Sequence, residues 1–377
     1  MLIAVAAEDR AGEARVAAVP ETVAALVRAG HQVQVAPGAG RRALISDEHY
    51  VDAGATIGDA VDQAQLVLSV QPLADAVRDQ LSAGSATLSF FPPGQRLDDV
   101  IVRRDADLIT FAMELVPRIS RAQSMDALTS QAMVAGYRAA IVTAGRLRKF
   151  FGLAMTAAGT VPPAQVVVLG AGVAGLQAIA TCKRLGAVVK GYDVRVAAAE
   201  EIRSVGAVAI DLQLDSLEGA GGYAREMTAE RAAVQAERLA PYVAAADALI
   251  TTAAVPGRTA PVLVSRAMVE AMAPGSVVVD LAADSGGNVE GSRPGEVVQI
   301  GAAQVWGGSD VPSQLPGPAS RLYAQNVLNL VTLLAPDGQW APDYGDEIVA
   351  GTCVTRAGSI THAPTSALIT SQQDAGR

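Results

Sequence analysis

One short segment constrains this chain more than any other. It is Gly170-Ala171-Gly172-Val173-Ala174-Gly175, set directly after the apolar run Val166-Val167-Val168-Leu169 and before a helical pattern over residues 176–185. A G-x-G-x-x-G string alone is weak, because glycine-rich turns are common. Between a strand and a helix each glycine has a physical job. Gly170 permits the tight turn, Gly172 lets the backbone approach a pyrophosphate, and Gly175 allows the helix to pack close to the strand. Ala171 and Val173 lie between them, and the helix N-terminus offers unpaired N–H donors and a partial positive charge to phosphates. The next strand, read over residues 187–192, ends at Asp193-Val194-Arg195. A carboxylate there, about 20 residues beyond the loop, accepts hydrogen bonds from the adenosine ribose and repels a 2′-phosphate. The pattern therefore favours NAD(H) over NADP(H), although Arg195 is of a type that pairs with phosphate. A tight turn with an exposed Asp is the plainer alternative.

The rest of the chain punctuates in the same way. Residues 2–6, 32–35, 66–70 and 86–91 read as strands, with a helix over 20–29 opened by Pro20. A long helical pattern spans 124–150. A second series of strands follows at 165–169, 187–192, 248–252, 276–281 and 303–306. The Gly/Pro/Ser-rich stretch 307–318 reads as a return crossing and 323–334 as a helix, with a frayed polar tail from Pro364. Alternating strands and helices imply parallel sheets covered on both faces. The expected fold is α/β, two Rossmann-like parallel-sheet domains flanking a cleft. Residues 1–123 with 311–377 would form a flavodoxin-like N-terminal lobe, and 124–310 the NAD(H)-binding lobe.

Bulk properties narrow the function by exclusion. Half of the 377 residues are hydrophobic and 18% are charged, which describes a folded chain. A net charge of -9 and only 4% aromatic residues argue against a nucleic-acid partner. Arg103-Arg104 and residues 146–149 read as solvated helix ends. The two cysteines, Cys182 and Cys353, show no metal spacing and no CxxC; Cys182 reads as a buried small hydrophobe, and the pair suits a reducing compartment. The N-terminus is charged too early for a signal peptide. The most apolar stretch, 166–182, holds three glycines, so no bilayer span is expected and any membrane role must come through a partner. The histidines His31, His49 and His362 all read as surface residues. A dehydrogenase of alcohols or amines needs a proton-transferring side chain. Hydride exchange between two nicotinamide rings needs only positioning.

Residues 117–128, Pro-Arg-Ile-Ser-Arg-Ala-Gln-Ser-Met-Asp-Ala-Leu, read from spacing alone as a helix start with ordinary salt bridges. This segment, with Gln131 and Val134-Ala135-Gly136-Tyr137-Arg138, resembles the NAD(H)-binding component of proton-translocating transhydrogenases. The resemblance continues through Thr156-Ala157-Ala158-Gly159-Thr160-Val161 and the Gly170 fingerprint. It goes on at Gly221-Gly222-Tyr223-Ala224-Arg225-Glu226-Met227, Val255-Pro256-Gly257, residues 274–282 and Gly351-Thr352-Cys353-Val354-Thr355-Arg356. It implies that Arg118, Gln123 and Asp126 act at the nicotinamide end by positioning, with Gln123 holding the dihydronicotinamide ring. Thr129 stands where the family often has Ser and keeps the hydroxyl. Residues 218–227 would be a mobile lid hinged at Gly219, Gly221 and Gly222, with Tyr223 covering the nucleotide. Gln235 and Ala254 would lie near the adenosine.

The same resemblance implies direct hydride transfer between NAD(H) here and NADP(H) on a separate subunit, coupled to proton movement. The implied partners are a beta subunit, carrying the NADP-binding and membrane domains, and a small membrane alpha-2 subunit. It also implies a homodimer on the cytoplasmic face of a membrane. The main rival is alanine dehydrogenase. Gly12-Glu13-Ala14-Arg15-Val16-Ala17 resembles its carboxylate-binding opening and Asp284 its cleft Asp. However, Pro92 stands where its His would fall, and residues 69–71 lack its Lys. Two weaker rivals are an NAD-binding scaffold without catalysis and a lone NADPH-specific reductase.

Overall fold

A computed structural model describes residues 1–215, 228–254 and 259–375. The chain divides into two compact units, Met1–Gln131 with Leu315–Arg377, and Ala132–Gln314. The first division falls inside the Ala127–Arg146 helix rather than ahead of it.

In the first unit an eight-stranded sheet runs in the order Ser359–Ile360, Cys353–Arg356, Ile109–Ala112, Ala86–Ser89, Leu66–Leu68, Leu2–Val5, Gln32–Val35, Thr56–Ile57. Six strands are parallel, and the C-terminal pair adds antiparallel at the Ile109–Ala112 edge. In the second unit the order is Val208–Ala209, Val188–Tyr192, Gln165–Leu169, Ala248–Thr251, Val277–Asp280, Ala303–Gly307, Val297–Ile300, with only the last strand antiparallel. Numbered within each sheet and read from the Thr56–Ile57 edge of the first and the Val208–Ala209 edge of the second, both run 3-2-1-4-5. Strand order therefore reverses between Leu2–Val5 and Leu66–Leu68 in one sheet, and between Gln165–Leu169 and Ala248–Thr251 in the other. In open α/β sheets that reversal is where a crevice for ligand opens at the strand C-termini.

The residue pattern accounts for both layers. Side chains alternate across a strand, and in the second sheet both faces are covered. Val166 and Val168 pack with Ile179 and Cys182, while Val167 and Leu169 pack with Leu239 and Val243. A continuous apolar run is what a parallel strand buried on both faces requires. Cys182 is buried, as read from the sequence. In the first sheet Ile3, Val5, Leu66, Leu68 and Phe111 join Tyr323, Val327 and Leu330 of the Pro316–Leu334 helix.

Several readings are corrected. The helix read over 124–150 begins at Ala127, after a 3-10 stretch Ser120–Met125. The stretch read as a return crossing already contains the start of the Pro316–Leu334 helix. Prolines fit its first turn, where an N–H would have no intrahelical partner. The tail is a helix, Ala363–Ala375, held by buried Thr365 and Ile369. His31 is buried rather than exposed, and its Nδ1 has no hydrogen-bond partner among the described residues. Burial and the nearby N-terminal ammonium lower its pKa. Arg103 is also buried, paired with Asp99 and lying over the Phe91 ring. Among the described residues no helix is long and apolar enough to cross a membrane, and no cluster of His, Cys, Asp and Glu could hold a metal.

Candidate nucleotide site

In the second unit the Gly170 loop is shaped by what each glycine excludes. Gly170 has φ +97, where side chains are strained, and an added Cβ would lie 2.6 Å from Thr252 Oγ1. A Cβ on Gly175 would lie 1.9 Å from the Gly170 carbonyl oxygen. A Cβ on Gly172 would meet nothing within 4 Å among the described residues. Two glycines thus serve packing and the middle one faces open space, the division expected of a loop that receives a pyrophosphate. The Val173–Arg184 helix starts behind Gly172 with no side-chain cap, so its first-turn N–H groups remain for an anion.

Asp193 follows the Val188–Tyr192 strand and is tied to the loop. Its Oδ2 accepts from the Ala171 N–H at 2.7 Å, and its Oδ1 from the Arg195 N–H at 2.9 Å. The Arg195 guanidinium donates to both carboxylate oxygens and, at 3.3 Å, to the Ala171 carbonyl. Val194, between them, is partly buried in the adjacent core. Gln235 is buried on the Ala229–Ala244 helix and accepts the Tyr192 hydroxyl hydrogen bond at 2.9 Å. Ala254 is exposed past the Ala248–Thr251 strand. Gly222, Tyr223 and the rest of residues 218–227, with Val255-Pro256-Gly257, lie outside the described residues.

Sequence reasoning missed what supports this loop. Thr252 Oγ1 donates to the Gly170 carbonyl at 3.2 Å. Asn288, fully buried, donates to the Ala253 carbonyl at 2.7 Å and accepts from the Ala253 N–H at 2.9 Å. Buried Asp280 in turn accepts from the Asn288 and Val289 N–H groups and from Thr251 Oγ1. A carboxylate closing the run Val277-Val278-Val279-Asp280 was the available signal. Asn288 gave none.

The first unit holds the other group of expected residues. Gln123 sits exposed on the Ser120–Met125 stretch, and Arg118 exposed just ahead of it. Asp126 caps the Ala127–Arg146 helix: its Oδ1 accepts the Thr129 N–H at 2.9 Å and its Oδ2 the Thr129 hydroxyl at 2.7 Å. The fold brings Gln123, Asp126 and Thr129 onto one short connection, with Asp126 and Thr129 joined directly.

At the reversal point of the first sheet there is no glycine loop but a group of polar side chains. Glu13 and Arg15 are buried and pair at 2.6 Å, with a second bond from Arg15 Nε at 2.8 Å. Gln71 donates to Glu13 at 2.8 Å, and Gln131 accepts from Arg15 at 2.9 Å. The Glu8 carboxylate accepts from the backbone of Val70 and Gln71. Burial pushes Glu8 up to about 7, with the neighbouring Glu13 charge adding to the shift. Desolvation raises Glu114 to about 7 as well. Asp284 is exposed in the other unit, where it accepts from the Asp310 N–H.

Comparison with known proteins agrees with this architecture. The family model for the alanine dehydrogenase/PNT N-terminal domain matches residues 4–135, and that for the C-terminal domain matches residues 139–363. The chain is 45% identical over 376 residues to an NAD(P) transhydrogenase alpha-subunit protein of Rhodospirillum rubrum, covering 96% of this chain and 98% of that protein. The crystal structure of transhydrogenase from Sinorhizobium meliloti superposes with a TM-score of 0.85 at 39% identity, covering 97% of this chain and all of the other. An L-alanine dehydrogenase structure shares the fold, with a TM-score of 0.82 at 24% identity over 98% of this chain and 99% of that one. The chain belongs to the alanine dehydrogenase/PNT family, within which it stands with the NAD(P) transhydrogenase alpha subunits.

Proposed function

We propose that the chain is the NAD(H)-binding component of a proton-translocating transhydrogenase, passing hydride directly to NADP+ held by a partner subunit. The observation that carries this reading is the Gly170 loop. Gly172 faces open space at an uncapped helix N-terminus, and Asp193 closes the neighbouring strand. These residues fit a nucleotide whose phosphates meet backbone N–H groups and whose ribose meets a carboxylate. Bound NADH supplies the hydride. Gly170, Ala171, Gly172, Val173 and Gly175 receive the pyrophosphate. Asp193, Val194 and Arg195, with Gln235 and Ala254, serve the adenosine end. Arg118, Gln123, Asp126 and Thr129 position the nicotinamide end, with Gly222 and Tyr223 in a lid over the nucleotide. An amide and a guanidinium hold a carboxamide without titrating, which suits a reaction with no proton transfer at the reacting carbon.

NADP(H), the membrane domain and the proton path belong on partners: a beta subunit and a small alpha-2 subunit. This chain would work as a homodimer at the cytoplasmic face. Alanine dehydrogenase chemistry is disfavoured by the residues themselves. Residues 69–71 hold no Lys, Pro92 stands where a His would fall, and Arg15 is tied to Glu13 and Gln131. A single substitution tests the positioning role. Gln123→Asn keeps the amide and shortens its reach by one methylene. Hydride transfer is expected to fall about 100-fold, the usual scale for a 1 Å misplacement, while NADH affinity changes little. Unchanged turnover would remove Gln123 from the reaction.

A further inference from the structure

The Ser120–Met125 stretch that carries Gln123 is six residues of 3-10 helix. Such helices have poor internal hydrogen-bond geometry and rarely hold themselves. Ala122 and Met125 are buried beneath it, while Arg121, Gln123 and Ser124 are exposed. Two buried side chains fix the depth of a turn better than its rotation. Its rotation is held on the exposed side by the Arg121–Asp346 ion pair at 2.6 Å and, next along the chain from Gln123, by the Ser124 carbonyl. It accepts from Asn326 Nδ2 at 2.9 Å and from Asn329 Nδ2 at 2.8 Å, both on the Pro316–Leu334 helix.

The Asn326 amide is itself oriented by a chain of side chains. Its Oδ1 accepts from the Ser130 hydroxyl at 2.7 Å, and the Ser130 oxygen accepts from Gln131 Nε2 at 3.2 Å. Gln131 Nε2 also donates to the Ala319 carbonyl at 3.1 Å. Gln131 Oε1 accepts from Arg15, which is locked in turn on Glu13. Glu13, Arg15, Gln131 and Asn326 are all buried. A guanidinium only donates and a carboxylate only accepts. Arg15 therefore dictates which end of the Gln131 amide faces it, which leaves Nε2 toward Ser130. The single Ser130 hydroxyl hydrogen has the Ala127 carbonyl at 3.2 Å and Asn326 Oδ1 at 2.7 Å as acceptors. Given to the nearer, it leaves Asn326 Nδ2 toward the Ser124 carbonyl, which only accepts. Flipping the Asn326 amide would disturb two bonds and flipping the Gln131 amide three, in a buried setting where each lost partner is costly.

We propose that this chain from Arg15 through Gln131 and Ser130 to Asn326 is the mount that fixes the Gln123 turn. Asn326 and Arg15 are positioning residues for hydride transfer. The proposal rests on the reading that Gln123 positions the nicotinamide, and it gives Arg15 a function distinct from holding a substrate carboxylate.

The test uses the full chain mixed with a recombinant transhydrogenase NADP-binding domain. Asn326→Asp keeps the size and the acceptor for Ser130 but removes the donor to Ser124. Turnover at saturating NADH is expected to fall about tenfold, with the KM for NADH within about twofold of the parent. Asn329→Ala, at a half-exposed position, should lower turnover in the same direction by a smaller factor, and it carries the test if Asn326→Asp does not fold. On a Gln123→Asn background either substitution should add little, because the damaged part is shared. Unchanged turnover, or a loss that multiplies in full on that background, would overturn the mount while leaving the role of Gln123 standing. Loss of activity in neither Gln123→Asn nor Asn326→Asp would overturn both.

Discussion

The two sheets share their first five strands in order, yet they finish their reversal points in opposite ways. In the second unit the first strand ends in glycines, and the helix behind it has no side-chain cap among the described residues. In the first unit the strand ends in a loop carrying Glu8, Glu13 and Arg15, and the first helix after it starts only at Pro20. Backbone donors that would face a ligand there are satisfied internally. The Val70 and Gln71 N–H groups go to Glu8. One topology thus yields a place for a phosphate in one unit and a self-satisfied polar core in the other. The difference lies in about a dozen loop residues and not in the sheet, which is why fold alone says little about function.

The sharpest way to break the comparison is Gly175→Ala. Its Cβ would lie 1.9 Å from the Gly170 carbonyl oxygen, so the loop must open. NADH affinity measured by calorimetry should fall by about 100-fold or more, since the phosphate contacts and the strand packing go together. The counterpart in the first unit is Gly12, with φ +87. Gly12→Ala should cost about 1–3 kcal/mol of stability from backbone strain and leave NADH affinity unaltered. Equal losses of affinity at both glycines would erase the distinction between the two loops.

Next in size is Arg15→Met. It removes the guanidinium that is paired with the buried Glu13, and breaking such a pair costs about 3–5 kcal/mol. Urea unfolding should show that loss, while NADH affinity stays within about twofold because the nucleotide loop lies in the other unit.

Glu8 gives a pH-dependent effect. Its folded pKa of about 7 lies above the ordinary carboxylate value of 4.5. The native state keeps a proton that the unfolded chain releases between those values. The Glu8 contribution to stability is therefore fully present below pH 4.5, declines as pH rises toward 7, and levels off above it. The decline should be on the order of 1–3 kcal/mol. Glu8→Gln should remove that part of the slope in denaturation followed from pH 4 to 8. Glu114 contributes a second decline of the same sign, so the substitution flattens the profile without abolishing its tilt.

The smallest effect is expected at Thr129→Ser. The hydroxyl keeps its bond to Asp126, so hydride transfer should change by less than about twofold. A larger change would show that the threonine methyl, and not the hydroxyl, matters there.

The contrast also shows what sequence could reveal. The Gln165–Leu169 strand was legible to the residue, because a strand buried on both faces must be apolar throughout. Strands of two residues, Thr56–Ile57 and Val208–Ala209, carry no periodicity and could not be read. The antiparallel additions Val297–Ile300 and Cys353–Arg356 depend on partners that local pattern does not announce. At the site, the glycines spoke for themselves through backbone geometry. Asn288, Asn326 and Gln131 did not, since their roles come from hydrogen bonds to residues far along the chain. His31 and Arg103 read as surface residues because their types are usually exposed; tertiary packing decided otherwise.

The central claim is that this chain holds the NADH half of a two-nucleotide reaction. Its most direct test is hydride transfer from NADH to an oxidised NADP analogue, assayed with the purified chain alone and then with a recombinant transhydrogenase NADP-binding domain. Transfer should appear only in the mixture. Absence of transfer in the mixture while NADH still binds, or NADH oxidation by the chain alone with pyruvate and ammonia, would contradict it.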